Sequence, residues 1–591
     1  MKNAKRHQIL PLLIILNCFA LMVPQLTEAA ALKTATPIKH VIVIVGENHS
    51  FDNLFATYVP SEGQTVNNLL SQGIVKYDGT LGPNYKQALQ MKATLHGKFS
   101  ITPTDKTPYL YLPRPTTGMA FGQRWPADSP DHRFPEKLAN GPFQITKYVP
   151  YAYGSSGNPV HRFFQMWQQY DRGLNDLYVW TSKTVGIGPN NRLPAPTPAN
   201  SLQGGEAMGY YNMLQGDAPM FRYLADQFAI SDNYHQAVMG GTGANFLAIA
   251  TGGYAAYYNK DGKPTMPPAN QIEDPNPRVG TNNFYKKDGY RGGSYVKCAD
   301  TTAPGVKPVH DYLKSLDYKM FNDGNCSKDT YYLVNNYTLG YTPFGEPRKL
   351  GKDEYTLPPQ HGRTVADLLS DHGVGWKWYT GGRHGGKLNP TEYCGVCDPL
   401  VAFKSIMTTD KKKNLQGITE FFQDVKTNKL PAVSFITPYE SESGHPADST
   451  MTSYEKLLTN IINGVMKNKE LWKTTAILIT TDEGGGYYDS GFIQPLDFFG
   501  DGPRVPFLVI SPYAKHGHID HNYADHISMI KFIEYNWNLN KVSEFSRDNL
   551  PNPIATKKKP YQPVNQPAIA DLRSLFDFNN FRKDIPIVPS Y

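Results

Sequence analysis

The sequence predicts an α/β protein built on a mostly parallel central sheet, and three observations predict it. Short β-branched runs at residues 40–45, 432–437, 475–480 and 505–510 are apolar throughout, as strands buried on both faces require. Helical patterns at 364–372, 415–427, 454–468 and 523–538 alternate with them, the order that packs helices over a sheet. Two of the runs end in glycine and acidic residues, Gly46-Glu47-Asn48 and Asp482-Glu483-Gly484, where open sheets of this class collect ligands.

The rest of the chain bounds the reading. With 40% hydrophobic and 12% aromatic residues it folds rather than staying disordered. Lys2, Lys5 and Arg6 precede an apolar stretch over 9–23 that ends in Glu28-Ala29-Ala30-Ala31. That pattern predicts a signal peptide over 1–31 and a secreted or periplasmic protein, the stretch being short for a membrane span of about 20 residues. The formal charge of +7 falls to +5 once that segment leaves, a mild bias that fits anionic substrates or membrane surfaces. No like-charge block exceeds Lys557-Lys558-Lys559, which argues against nucleic acid as a partner. One large domain is expected over 32–548. A Gly-, Pro- and Tyr-rich insertion or cap lies at about 254–362, and a linker and tail over 549–591.

Cys18 would leave with the signal segment. Cys298, Cys326, Cys394 and Cys397 then form an even set suited to two disulfides in an oxidising compartment. Cys298 with Cys326 and Cys394 with Cys397 are the preferred pairs, the first because both lie in the insertion. Cys394-x-x-Cys397 could instead be half of a zinc site, but no second such motif accompanies it.

The chemistry concentrates at three places. Glu47, Asp482 and Glu483 just past apolar strands would repel one another, and any phosphate, unless a cation sat among them. Asn48 adds a neutral oxygen donor, and this oxygen-rich set leaves zinc, calcium and magnesium open. Gly240-Gly241-Thr242-Gly243 exposes the Thr242 hydroxyl ahead of a helix-like stretch over 246–250, whose N-terminus favours phosphate. Taken alone, each motif reads equally as a capped turn.

Together they resemble the bacterial phosphoesterase family of secreted phospholipases C and acid phosphatases. The resemblance rests on the segments His40 to Phe55, Met208-Gly-Tyr-Tyr211, Leu224-Ala-Asp-Gln-Phe228 and Gly241-Thr-Gly-Ala-Asn245. It continues through Gly375-Trp-Lys-Trp-Tyr379, Leu430-Pro-Ala-Val-Ser-Phe435, His445-Pro446, Trp472, Asp482-Glu-Gly-Gly-Gly486, Arg504-Val-Pro506 and Ser511-Pro512. It looks closest to the zinc-dependent phospholipases C of intracellular pathogens. An alkaline-phosphatase-like fold is implied. Glu47, Asn48, Thr242, Asp482 and Glu483 fall on the metal positions, Thr242 on the nucleophile, His161 on a phosphate-pocket histidine and His445 on the histidine of a His-Pro pair. Two departures stand out: Asp489-Ser490 replaces a common Asp-His, and glycine and alanine replace a proline near the nucleophile.

The resemblance implies a metal-dependent phospholipase C that releases diacylglycerol and a phosphorylated head group through a phospho-threonine intermediate. The alternatives are an acid phosphatase for soluble monoesters and a binding protein with a degenerate site. Tyr254, Tyr257, Tyr258, Tyr285, Tyr290 and Tyr295 in the insertion are expected to suit a bilayer interface or a choline-like cation. Gly381 to Lys387 has phosphate-loop spacing, but Leu388 replaces the metal-binding hydroxyl; Arg383 and His384 remain candidate phosphate contacts. His516, His518, His521 and His526 suggest a second metal or one outward-facing loop. No Gly-x-Ser-x-Gly or His-Glu-x-x-His motif supports a serine lipase or a zinc protease.

Overall fold

The computed structural model describes residue 1 and residues 33–94, 96–115, 130–153, 157–183, 204–276, 293–318, 321, 323–351, 355–446 and 448–590. The predicted signal segment and Cys18 therefore lie outside the described residues. Thr34–Tyr591 forms one compact unit. Among the described residues, no helix is long and apolar enough to cross a membrane.

Eight strands make the central sheet: β1 (His40–Gly46), β2 (Ala229–Ser231), β3 (Trp376–Thr380), β4 (Leu415–Gln416), β5 (Val433–Thr437), β6 (Thr475–Thr481), β7 (Phe507–Ile510) and β8 (His518–Asp520). Their spatial order is β4-β3-β5-β1-β6-β7-β2-β8. All neighbours run parallel except where β7 meets β6 and β2, so the sheet is the mostly parallel one expected. Val41 to Ile44 are wholly buried, which explains why β1 reads as an unbroken apolar run. Each such side chain contributes roughly 1.5–3 kcal/mol on burial. On the neighbouring pair, Trp378 of β3 stacks on Phe435 of β5 with ring centroids 4.5 Å apart.

The register of β1 against β6 positions the site. His40 pairs with Thr475 and Gly46 with Thr481, so both strands end level and Glu47 emerges beside Asp482. The Asp482 amide donates to the Gly46 carbonyl at 3.0 Å, closing the two ends together.

Several expectations change in detail. The helix expected over 415–427 starts later, at Ile418, because Gly417 breaks it and Leu415–Gln416 pairs with β3 instead. The strand expected from 505 begins at Phe507, after Pro506, whose ring nitrogen cannot donate to a ladder. The helix expected over 246–250 spans Thr242–Thr251, which makes Thr242 its first residue.

Residues of the 254–362 stretch pack into the same core as the sheet, among them Tyr257, Tyr295, Val309, Leu333 and Tyr337. This removes Tyr257 and Tyr295 from the interfacial role expected of the tyrosines. Tyr257 and Tyr295 are buried. Tyr254 stacks on Phe499 at 3.7 Å and donates to Asp497, and Tyr258 is half-buried. A tyrosine gains most when its ring is packed and its hydroxyl reaches a carboxylate, which is the arrangement at Tyr254. Tyr285 and Tyr290 lie outside the described residues. Cys298 is joined to Cys326, and Cys394 to Cys397, the pairs expected. Loop-closure entropy assigns the first bond about 3.6 kcal/mol and the second, which closes a far shorter loop, about 2 kcal/mol. The C-terminal stretch buries Ile569, Leu575, Phe576 and Val588, and Lys531 donates to the carbonyls of Leu550 and Ile569.

Candidate active site

The site lies beyond the carboxyl ends of β1, β5 and β6, with the N-terminus of the Thr242–Thr251 helix facing it. Asn48 follows β1 with φ at 59°, a left-handed conformation that asparagine tolerates better than most residues and that concentrates at functional positions. Its backbone amide donates to Asp482 Oδ1 at 3.1 Å. On the other side of the cleft, Gly485 and Gly486 turn with φ of 61° and 74°. A Cβ there would stand 2.6 Å from the Asn48 carbonyl and 2.3 Å from that of Val160, so only glycine lets this loop close on both neighbours. The second contact seats the segment that carries His161.

All the residues expected at the site are buried: Glu47, Asn48, His161, Thr242, His445, Asp482 and Glu483. His445 Nδ1 donates to the Pro446 carbonyl at 2.6 Å, and Nε2 lies 2.9 Å from the Asn48 amide nitrogen. The Asn48 side-chain amide lies 3.2 Å from Glu47 Oε2 and 3.1 Å from Asp482 Oδ1. With its nitrogen turned to the two carboxylates it donates to both, and its oxygen accepts from a protonated His445 Nε2 at 2.9 Å. With its oxygen turned to them, the three oxygens form a ligand set for a cation. Asp482 Oδ2, buried without a hydrogen bond, is a further donor for it.

Electrostatics agree. Burial pushes the Asp482 carboxyl up to about 7, opposed by the Asn48 amide, by His445 and by the Thr242 hydroxyl, which hydrogen-bonds toward it. Among the described residues no lysine or arginine forms an ion pair with Asp482. The donor set of carboxylates, an amide oxygen and a hydroxyl therefore fits a hard or borderline divalent ion. His161 Nδ1 donates to the Pro159 carbonyl at 2.8 Å, which leaves Nε2 at 3.4 Å from Glu483 Oε1.

Supporting contacts that the sequence did not announce hold these groups. Gln236 Oε1 accepts from the Gly484 amide at 2.7 Å, and Asn336 Oδ1 accepts from the Gly243 amide at 2.7 Å. Both partners are distant in sequence, so no local motif could reveal them. The Asp489-Ser490 departure is accounted for in the same way. Asp489 pairs with the buried Arg504 at 2.9 Å, and Ser490 donates to Asp52 Oδ2 at 2.5 Å, so the pair braces the loop behind the site.

Other candidates fall away. Gly381 to Lys387 forms a hairpin, Arg383–His384 with Lys387–Leu388, and not a phosphate loop. Arg383 is buried and spent on Asp398 at 2.6 Å, and His384 pairs with Glu420 at 3.0 Å, which removes both as phosphate contacts. The four late histidines do not gather. His526 is buried with Nε2 at 2.9 Å from the Thr481 carbonyl, and His521 pairs with Asp232 at 2.7 Å. Among the described residues the only group of three or more His, Cys and carboxylate side chains with ligand atoms all within 4.8 Å of one another is Glu47 with the disulfide-joined Cys394 and Cys397; Glu47, Asp482 and Glu483 are not drawn together that tightly.

Comparison with known proteins fits this arrangement. The chain is 23% identical over 533 residues to "Phospholipase C B" of Mycobacterium tuberculosis, covering 84% of this chain and 73% of that one. It is 23% identical over 408 residues to "Hemolytic phospholipase C" of Pseudomonas aeruginosa, covering 64% of this chain but only 44% of that protein's length. It is 27% identical over 255 residues to "Phosphate-repressible acid phosphatase" of Penicillium chrysogenum, covering 39% and 58%. A solved alkaline phosphatase superfamily protein from Vibrio parahaemolyticus aligns at 11% identity and a TM-score of 0.25, covering 56% of this chain and 63% of that one. So low a score adds nothing to the sheet topology given above. The phosphoesterase family model matches residues 38–540, which include every site residue named here, and the chain belongs to the phosphoesterase family.

Proposed function

We propose that the protein is a metal-dependent phosphoric ester hydrolase of phospholipase C type. It would cleave glycerophospholipids to diacylglycerol and a phosphorylated head group by two-step phosphoryl transfer. The observation that carries this reading is the buried meeting of Glu47 and Asp482 at the Asn48 side-chain amide, which lies 3.1 to 3.2 Å from both carboxylates, with no lysine or arginine paired to Asp482 among the described residues. Glu47, Asn48, Thr242, Asp482 and Glu483 would hold the ion. When bound, a divalent ion, zinc by resemblance to the nearest branch, lowers the pKa of a hydroxyl and neutralises phosphoryl charge.

The chain's own residues do the rest. Thr242 Oγ1 attacks phosphorus and becomes phosphorylated, and water then attacks the phospho-threonine to regenerate the hydroxyl. The helix N-terminus at Thr242 favours the anionic phosphoryl group. His161 and His445 have their Nδ1 protons held by backbone carbonyls, so each would act as an imidazolium, whose second proton on Nε2 is the one to give to phosphoryl oxygens or to the leaving alcohol. Export follows from the basic and apolar pattern of 1–31, and peripheral contact with a membrane follows from the substrate.

A second reading, an acid phosphatase on soluble monoesters, is favoured by one observation. Of the tyrosines expected to meet a bilayer, Tyr257 and Tyr295 are packed in the core and Tyr254 lies against it. Assay of the purified protein on phosphatidylcholine vesicles and on p-nitrophenyl phosphate, each with and without chelator, separates the readings. Chelator-sensitive turnover with higher kcat/KM on vesicles supports the phospholipase; preference for the monoester moves the protein to the phosphatase branch. Activity that survives exhaustive metal removal overturns both.

A further inference from the structure

The Cys394–Cys397 pair stands against the proposed metal site. Cys397 Sγ lies 2.9 Å from Glu47 Oε1, and the ligand atoms of Glu47, Cys394 and Cys397 all fall within 4.8 Å of one another. A bond between residues three apart in sequence constrains the unfolded chain less than the separation of 28 at Cys298–Cys326 does. What sets it apart is its position beside the Glu47 carboxylate.

We propose that Glu47, Cys394 and Cys397 form a redox-gated site for a thiophilic divalent cation of the zinc or cadmium class. It is closed while the cysteines are joined and opened by a dithiol reductant. The proposal rests on the reading that Glu47 serves the catalytic ion, and it gives the same carboxylate a competing use.

The surroundings make the site preformed. Cys397 is fully buried, whereas Cys394 is partly exposed and is the sulfur a reductant can reach. The loop is fixed independently of its disulfide. Thr437 Oγ1 donates to the Cys397 carbonyl at 3.0 Å, and Asp398 is locked by Arg383 at 2.6 Å and by the Tyr393 hydroxyl at 2.9 Å. Two thiolates on one tetrahedral zinc stand about 3.8 Å apart, given Zn–S bonds of about 2.3 Å. Reduced sulfurs must separate to about that distance in any case, so the movement needed is small.

The chemistry balances as ordinary exchange. One thiolate of the dithiol attacks Cys394 Sγ, the bond to Cys397 breaks, and Cys397 leaves as a thiolate. The reductant's second thiolate then attacks its own sulfur in the mixed disulfide and releases Cys394. The dithiol ends as a cyclic disulfide, having passed two electrons. The cation then binds both thiolates and a Glu47 oxygen, the thiols having given up their protons to solvent.

The test is an anaerobic cadmium titration of the full chain after dithiol treatment, followed by the ultraviolet charge-transfer absorption of cadmium thiolates. Reduced wild type should develop the band with one equivalent, and oxidised wild type should not. Cys394→Ser/Cys397→Ser should lack it, and Glu47→Gln should weaken cadmium binding about tenfold or more. Asp482→Ala, which damages only the catalytic ion site, should keep the band. Mass spectrometry of alkylated peptides checks that Cys298–Cys326 stays joined; if it opens, a Cys298→Ala/Cys326→Ala background carries the same titration. A reduced wild type without the band, or a band that the double serine variant retains, overturns the proposal. If the band behaves as described while activity ignores chelators, the catalytic-metal reading fails and the thiolate site stands.

Discussion

Two buried clusters of carboxylates in this fold solve the same electrostatic problem differently. Around Arg547, the buried Asp497, Asp501 and Asp525 lie 3.1, 2.9 and 3.4 Å from the guanidinium. The cation there is part of the chain. At the ends of β1 and β6, Asp482 and Glu47 meet at the Asn48 side-chain amide, with no lysine or arginine paired to Asp482 among the described residues. Burying like charges is costly in both places. Where the chain supplies its own cation, the cluster is fixed structure, and it anchors the Ala237 carbonyl five residues before Thr242. Where it does not, the charge is left for something that can come and go.

The sharpest way to break that contrast is to remove the built-in cation. Arg547→Met should lower stability by about 3–5 kcal/mol, because three carboxylates lose their partner, and added metal should not restore it. Urea midpoints with and without divalent ions check this; a loss below about 1 kcal/mol would mean that Arg547 does not balance the cluster. The opposite behaviour is expected at the site. Saturating metal at about 100 times Kd should stabilise wild type by about 2.7 kcal/mol, and Asp482→Ala should erase that gain. Thermal unfolding with metal and with chelator gives the difference directly.

Thr242→Ala separates binding from chemistry. It should keep most of the metal-dependent stabilisation, since the carboxylates remain, yet lose about 10²-fold or more in kcat. Near-normal turnover would remove Thr242 as the nucleophile.

A pH-dependent effect is expected at the buried carboxyl of Glu455. Burial pushes Glu455 up to about 7, while its acceptance of the Met220 amide at 3.0 Å opposes the rise. The folded state then holds a proton that the unfolded chain has released. The stability is fully present below the unfolded value of 4.5 and is lost as pH rises through about 7. Glu455→Gln should flatten this decline by at most about 1.4 kcal/mol per pH unit, read from urea midpoints across that window. An unchanged slope would show that Glu455 titrates alike in both states.

How much was legible follows a physical line. The four long apolar runs became β1, β5, β6 and β7 because burial on both faces writes itself into consecutive residues. The short strands β2, β4 and β8 carry two or three residues each, too few for any periodicity to show. The acidic residues at the strand ends stood out because carboxylates after an apolar run are costly to place without purpose. Their convergence was not written locally, since it depends on the level ends of β1 and β6 and on glycines 485 and 486 closing against Asn48 and Val160.

The fold class and the two cysteine pairs that the structure contains were already legible in the chain, since these follow from pattern, spacing and chemistry along it. Only the tertiary structure decided which polar groups are already spent. Arg383 is taken by Asp398, Ser490 by Asp52, His526 by the Thr481 carbonyl and Tyr254 by Asp497. It also brought Cys397 to Glu47, 350 residues away. A hydrogen bond or a ligand set is a meeting of atoms in space, and folding brings together residues that the order of the chain keeps apart.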